Sequence, residues 1–180
     1  GAFVKTITES GSRVKVLDQH QTDSTNRVLG KPVWMKEVGR AELPSQVLQR
    51  FPEATGGLLT KTQYNMKTQA GAEAFYRISA GDVTEYSIGY TALDTDISIE
   101  VINGKKTSVR NIRTLRLWEF SPVLWGMNPA TATVDFKNGE DSVLDTNKKD
   151  YVAEMETAIS GEPVSLLGDK IHACLSMAMI

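Results

Sequence analysis

Only a handful of side chains in this 180-residue sequence could make or break bonds. Ser87 stands in "VTEYSIGYTALD" (83–94), an apolar and aromatic stretch with Gly89 two positions on. A serine attacks a carbonyl only when a base lies within hydrogen-bond reach and donors await the oxyanion. The stretch is not the G-x-S-x-G elbow, because position 85 is Glu and the serine lies within a strand. Taken alone, Ser87 reads as an ordinary strand serine.

His20 closes the alternating strand "SRVKVLDQH" (12–20) and opens into the polar loop "QTDSTNR". It is either an exposed strand-end histidine or a base facing a cleft. Glu119, in "LRLWEFSPV", is a lone carboxylate among apolar and aromatic residues. Such a group is costly unless paired. It either faces outward on an edge strand or orients a histidine and balances its imidazolium, the third role in a Ser-His-acid triad. Asp18, two residues before His20, is a weaker candidate for that role. His172 and Cys174 fall in an apolar C-terminal stretch and read as structural, with an inert thiol.

Composition narrows the chemistry further. With two histidines and one cysteine the usual zinc sites cannot be built, so neither metal nor cofactor is expected. A net charge of −2, spread along the chain, gives no basic footprint for nucleic acid and no polybasic membrane patch. No apolar run approaches the roughly 18 residues of a membrane span. The N-terminus lacks a signal-peptide pattern, and a single cysteine makes a reducing cytoplasm the default.

The elements that must hold these residues are mostly strands. After the His20 strand, "VLGKPVWMKEVGRAEL" (28–43) reads as one or two strands with bends at Gly30 and Gly39. A short helix with Pro44 in its first turn follows, then a strand over 56–67 and a helix over 68–82 that stops at Gly81. That helix leads into the Ser87 strand. "DISIEVINGKKTSVRNI" reads as a hairpin turning at Asn103-Gly104, and 114–126 as a last long strand. The pattern predicts an α+β, mainly β fold, a small antiparallel barrel with a few helices. Residues 135–149 read as a polar linker, and 150–180 as a helical segment. Its apolar final helix needs a partner surface, either the barrel or another subunit, the latter making a homo-oligomer through that helix.

In order and spacing, "GAF", "VKVLDQH", "AGDVTEYSIGY" and "LRLWEFSPVLWGMNPATA" resemble the prohead (capsid maturation) protease family of tailed double-stranded DNA phages. The resemblance covers roughly residues 1–134, taken as the protease domain. It implies a fold similar to the herpesvirus assembly protease, and a barrel without the first strand that the family carries ahead of "GAF". It further implies a serine endopeptidase with His20 as base, Ser87 as nucleophile and Glu119 as third member. Gly89, Gly126 and Asn128 become candidate oxyanion or substrate contacts. The implied substrates are scaffold and capsid precursor segments, and the enzyme itself, inside the assembling prohead in the host cytoplasm. A non-catalytic assembly protein and a Ser-His esterase or amidase are the rival readings.

Overall fold

A computed structural model describes residues 1–102, 104–137 and 173–179. Seven strands form one mixed sheet in the order β4-β5-β1-β2-β3-β7-β6. They are β1 (Lys15–Leu17), β2 (Val28–Gly39), β3 (Gly56–Tyr64), β4 (Glu85–Ile102), β5 (Lys105–Val123), β6 (Thr131–Lys137) and β7 (Ala173–Met179). Three helices accompany them: α1 (Val4–Ser10), α2 (Ser45–Arg50) and α3 (Gln69–Ala80).

Neighbouring strands are antiparallel except β1 and β5, which run parallel through Lys15↔Glu119 and Val16↔Phe120. The expected closed antiparallel barrel is therefore corrected to an open, mixed sheet. Its outer strands, β4 and β6, meet through side-chain hydrogen bonds instead of a backbone ladder. Tyr86 N–H donates to Thr131 Oγ1 at 2.9 Å, and the Tyr86 hydroxyl lies 2.8 Å from Thr133 Oγ1. Curvature brings the two edges together, but the threonine hydroxyls stand where backbone carbonyls would have closed the cylinder.

Several elements follow directly from local chemistry. α3 starts at Thr68, whose hydroxyl accepts from Gly71 N–H, and stops at Gly81 with φ of 83°. A left-handed residue at that cap favours glycine. α3 buries Phe75 and Ile78 in a core with Phe3, Val14, Val16, Leu58, Leu115 and Phe120. A second cluster gathers Val38, Val47 and Leu59 under α2. The run expected as one or two strands over 28–43 is a single strand that ends in a 3-10 turn, Arg40–Glu42.

Two differences concern the chain's second half. The Ser87 strand and the hairpin's first strand are one continuous β4, and the hairpin's return and the last long strand are one β5. Ala173–Met179, expected within a helix, is strand β7 paired with both β3 and β6. Alternation of small and large apolar residues in "ACLSMAM" suits strand as well as helix periods, and the pairing with two neighbours decides it. The expected oligomer through a C-terminal helix loses that basis over these residues. β6 also runs across residue 134, where the sequence placed the end of the domain. The helix expected at 150–160 and residues 163–172 lie outside the described residues.

α1, not expected from the sequence, takes the place of a strand beside β5. Leu115 N–H donates to Ala2 C=O at 3.0 Å. The buried Thr6 hydroxyl donates to Leu115 C=O at 3.1 Å and accepts from Leu117 N–H at 2.9 Å. Thr6→Val keeps the shape and removes both partners, leaving a buried N–H and C=O unpaired. We expect a loss of about 1–3 kcal/mol in urea unfolding. Thr8→Val, on the exposed side of the same helix, should cost under about 0.5 kcal/mol.

Candidate active site

The site begins with a register shift in β5. Leu115 and Leu117 are buried in the core, and strict alternation would send Glu119 in after them. Instead β4 pairs Gly89 with Glu119 and Tyr90 with Leu117, which leaves Trp118 as the extra residue of a β-bulge. Beyond the bulge the faces exchange. Phe120 enters the core, while Glu119 and Ser121 turn to the opposite face. Trp118 is fixed on the surface by its Nε1–H, which donates to Thr91 Oγ1 at 2.9 Å, and by the Arg116 guanidinium 5.4 Å above its ring.

Pairing then fixes which residues share the face with Glu119. Ser87 lies opposite Ser121 and Gly89 opposite Glu119, so these four occupy one face of the β4–β5 pair. Directly paired Cβ atoms stand about 4.5–5.5 Å apart. Gly89 is required by what faces it, since a Cβ there would come within 2.2 Å of Glu119 Oε1. Gly89 thus makes room for the carboxylate, whereas the sequence offered it as an oxyanion or substrate contact.

His20 reaches this face from the turn after β1. Gln19 and His20 have φ of 50° and 61°, and Gln21 N–H donates to Asp18 C=O at 2.8 Å. Positive φ at both central positions is the pattern of a type I′ turn, usually built from Asn and Gly. For two residues bearing a Cβ it costs about 1–2 kcal/mol each. The hydrogen bonds at the turn offset that cost. His20 N–H donates to Ser121 Oγ at 3.1 Å, Ser121 O–H donates to Glu119 Oε2 at 2.5 Å, and His20 Nδ1 lies 2.6 Å from Glu119 Oε1. The three residues close a ring of hydrogen bonds.

Glu119 is only 5% exposed and Ser121 fully buried, while the His20 side chain keeps 40% exposure. A carboxylate on Nδ1 selects the neutral imidazole that carries its proton there, leaving the Nε2 lone pair available. Glu119 is therefore neither on an edge strand nor outward-facing. Asp18 points elsewhere, with its carboxylate 3.7 Å from the Arg27 guanidinium. Ser87 makes no hydrogen bond with His20 among the described residues; the two are related by the shared face. Unliganded sites commonly hold such pairs loosely until substrate binds.

The remaining candidates fall as follows. Gly126 N–H donates to Glu85 Oε2 at 2.6 Å, and Asn128 Oδ1 accepts from Ala130 N–H at 2.9 Å. Both groups hold the loop after β5, so the Gly126 amide is not offered to an oxyanion here. Cys174 lies in β7 beside Thr62 of β3 and Phe136 of β6. His172 is outside the described residues. Among the described residues no cluster of three or more metal-ligating side chains occurs. A cleft of about 740 Å³ is lined by Asp18, Gln19, Arg27, Arg77 and Leu124 among others and borders the turn, but His20, Ser87 and Glu119 do not line it.

Ser121 is the member of this hydrogen-bonded ring that the sequence reading passed over. Its signal was present in "EFS": two residues from Glu119 on one strand, it shares that carboxylate's face.

A serine on the same sheet face as a histidine–carboxylate pair is the set of side-chain types that a serine hydrolase uses. Residues 41–145, more than half of the chain, match the model of the caudovirus prohead serine protease family, and the chain belongs to that family. The protein is thus a serine protease of phage capsid maturation. Ser87 and Glu119 lie within the matched residues and His20 precedes them. No curated protein and no solved structure matches the chain.

Ser121→Ala leaves the His20 amide and Glu119 Oε2 without their shared partner and should cost about 1–3 kcal/mol. Ser121→Thr, which retains the hydroxyl, should recover much of that loss. Gly89→Ala should displace the carboxylate and abolish the low-field proton resonance of a carboxylate-bound His20 Nδ1–H. Persistence of that resonance in Gly89→Ala would show that Glu119 does not hold the ring.

Proposed function

We propose that the protein cleaves scaffold and capsid precursor segments, and its own chain, during prohead maturation, with Ser87 as nucleophile, His20 as general base and Glu119 as the orienting acid. The observation that carries this reading is the His20 Nδ1–Glu119 contact of 2.6 Å on the face that also bears Ser87. His20 Nε2 takes the Ser87 hydroxyl proton as Oγ attacks the scissile carbonyl. It then returns the proton to the leaving amine. Glu119 keeps the imidazole in the useful tautomer and stabilises the imidazolium, and the hydroxyl of Ser121 stops the carboxylate from rotating away. A water repeats the sequence on the acyl-enzyme and frees Ser87.

The family's role supports cleavage inside the assembling prohead in the host cell. Among the described residues no helix is long and apolar enough to cross a membrane. A fold akin to the herpesvirus assembly protease belongs to this reading through the motif resemblance alone, and the sheet here is open.

Ser87→Ala and His20→Ala should each abolish processing of the capsid precursor, and the double variant should be little worse than either, as for residues acting as a unit. Substantial processing by Ser87→Ala would sink the assignment. Glu119→Gln retains size and hydrogen bonding but removes the charge, and should lower kcat by about a hundredfold to ten-thousandfold. Asp18→Asn should leave kcat within about twofold, because Asp18 faces Arg27 and exposed ion pairs are worth little. The reverse outcome would move the third role to Asp18.

A further inference from the structure

The loop that follows β5 is held by three hydrogen bonds, two to the body and one within the loop, and still presents its apolar side chains to solvent. Leu124 N–H donates to Gln19 Oε1 at 3.4 Å, Gly126 N–H to Glu85 Oε2 at 2.6 Å, and Ala130 N–H to Asn128 Oδ1 at 2.9 Å. Between these anchors Leu124, Trp125 and Met127 are 52%, 85% and 96% exposed. Exposing a tryptophan and a methionine on a loop with fixed backbone ends gains nothing for folding. Apolar side chains grouped in that way mark a contact surface.

Its position says what the surface contacts. Tyr86 N–H points away from β5 to Thr131, so the outer edge of β4 at Tyr86 is already occupied. Gly126 sits against the same edge, where an added Cβ would lie 3.0 Å from Tyr86 C=O. The loop therefore fills the β4 edge up to the residue before Ser87 and ends there. Trp125 and Met127 flank Gly126 and so stand beside the residue that precedes Ser87.

We propose that Trp125 and Met127 form a subsite for a large apolar side chain of the substrate, close to the scissile bond. The inference rests on the protease reading above and adds to it the substrate class, an aliphatic or aromatic residue flanking the cleaved bond. The aromatic face and the flexible thioether suit a pocket that accepts several apolar shapes. Leu124 also lines the 740 Å³ cleft, together with apolar Val83, Ile78 and Pro122, so the apolar surface continues past the turn.

The test separates binding from catalysis. Ser87→Ala protein is titrated with a polar octapeptide carrying one Phe, one Leu or one Ala, and the indole resonance of Trp125 is followed by NMR. The Phe and Leu peptides should shift that resonance and bind about tenfold or more tighter than the Ala peptide. Trp125→Ser with Met127→Ser should reduce them to the Ala level. In the active chain the same double change should remove a preference of about tenfold or more for apolar over alanine substrates, chiefly through KM. Fluorophosphonate labelling of Ser87 should be unchanged.

Equal binding of the three peptides, or an unchanged preference in the double variant, overturns the proposal. So does a shift of the Trp125 resonance with protein concentration alone, since the surface would then pair with a second copy. Failure of wild-type labelling at Ser87 instead counts against the protease reading, while the peptide titration still decides the subsite.

Discussion

The buried carboxylate of Glu119 is the group around which the site is organised. Removing a carboxylate from water is expensive, and an isolated one in a protein interior is not tolerated. Here both oxygens are satisfied, Oε1 by the His20 ring and Oε2 by the Ser121 hydroxyl. Each partner is in turn placed by something else. The bulge at Trp118 turns Glu119 out of the core, Gly89 vacates the space the carboxylate needs, and the left-handed turn swings the imidazole over it. Any one of these alone would be a local irregularity. Together they let a charged group be buried and still be useful.

The irregularities are also mutually compensating. Gln19 and His20 occupy a backbone region that residues with a Cβ avoid, and functional turns often carry such strain. The return comes from the His20 amide, which is bonded to Ser121, the hydroxyl that also fixes Glu119. Loss of Ser121 therefore acts on the base and on the acid at once. Farther out, α1 supplies through Thr6 the partners that β5 lacks next to the bulge. A bulged strand without a strand neighbour on that side would otherwise leave Leu115 and Leu117 groups unpaired in the core.

Strand periodicity and turn chemistry made much of the scaffold legible. The Thr68 and Gly81 caps mark α3, and Val14 and Val16 mark the core face of β1. Order and spacing of the motifs offered His20, Ser87 and Glu119 as candidates; in the structure Ser87 and Glu119 share a strand face and His20 contacts Glu119. What could not be read depends on register. Nothing in "LRLWEFSPV" announces that Trp118 is an extra residue, so the face of Glu119 was undetermined, and Ser121 looked like any strand serine. A one-residue shift exchanges every side chain between faces. "ACLSMAM" fails for a related reason, because a short apolar run fits helix and strand periods alike and only β3 and β6 choose between them. Closure was out of reach as well, since it depends on the threonines at the β6 edge instead of on any strand's own pattern.

The turn that carries His20 and the loop that follows β5 are not independent. Gln19, the first left-handed residue, accepts from Leu124 N–H, and Leu124 opens the loop that bears Trp125 and Met127. At 3.4 Å this is the longest of the three anchors on the loop and the one that yields first under a load. Under the proposed subsite, a peptide on the loop would act on Gln19, the residue next to His20, through one exposed hydrogen bond. Glu119 and Ser121, deep in the sheet, stay fixed while the Nε2 side of the imidazole has freedom to adjust. In the proposed mechanism, a rigid acid beneath a partly exposed base would let substrate complete the Ser87–His20 geometry without disturbing the charge that supports it.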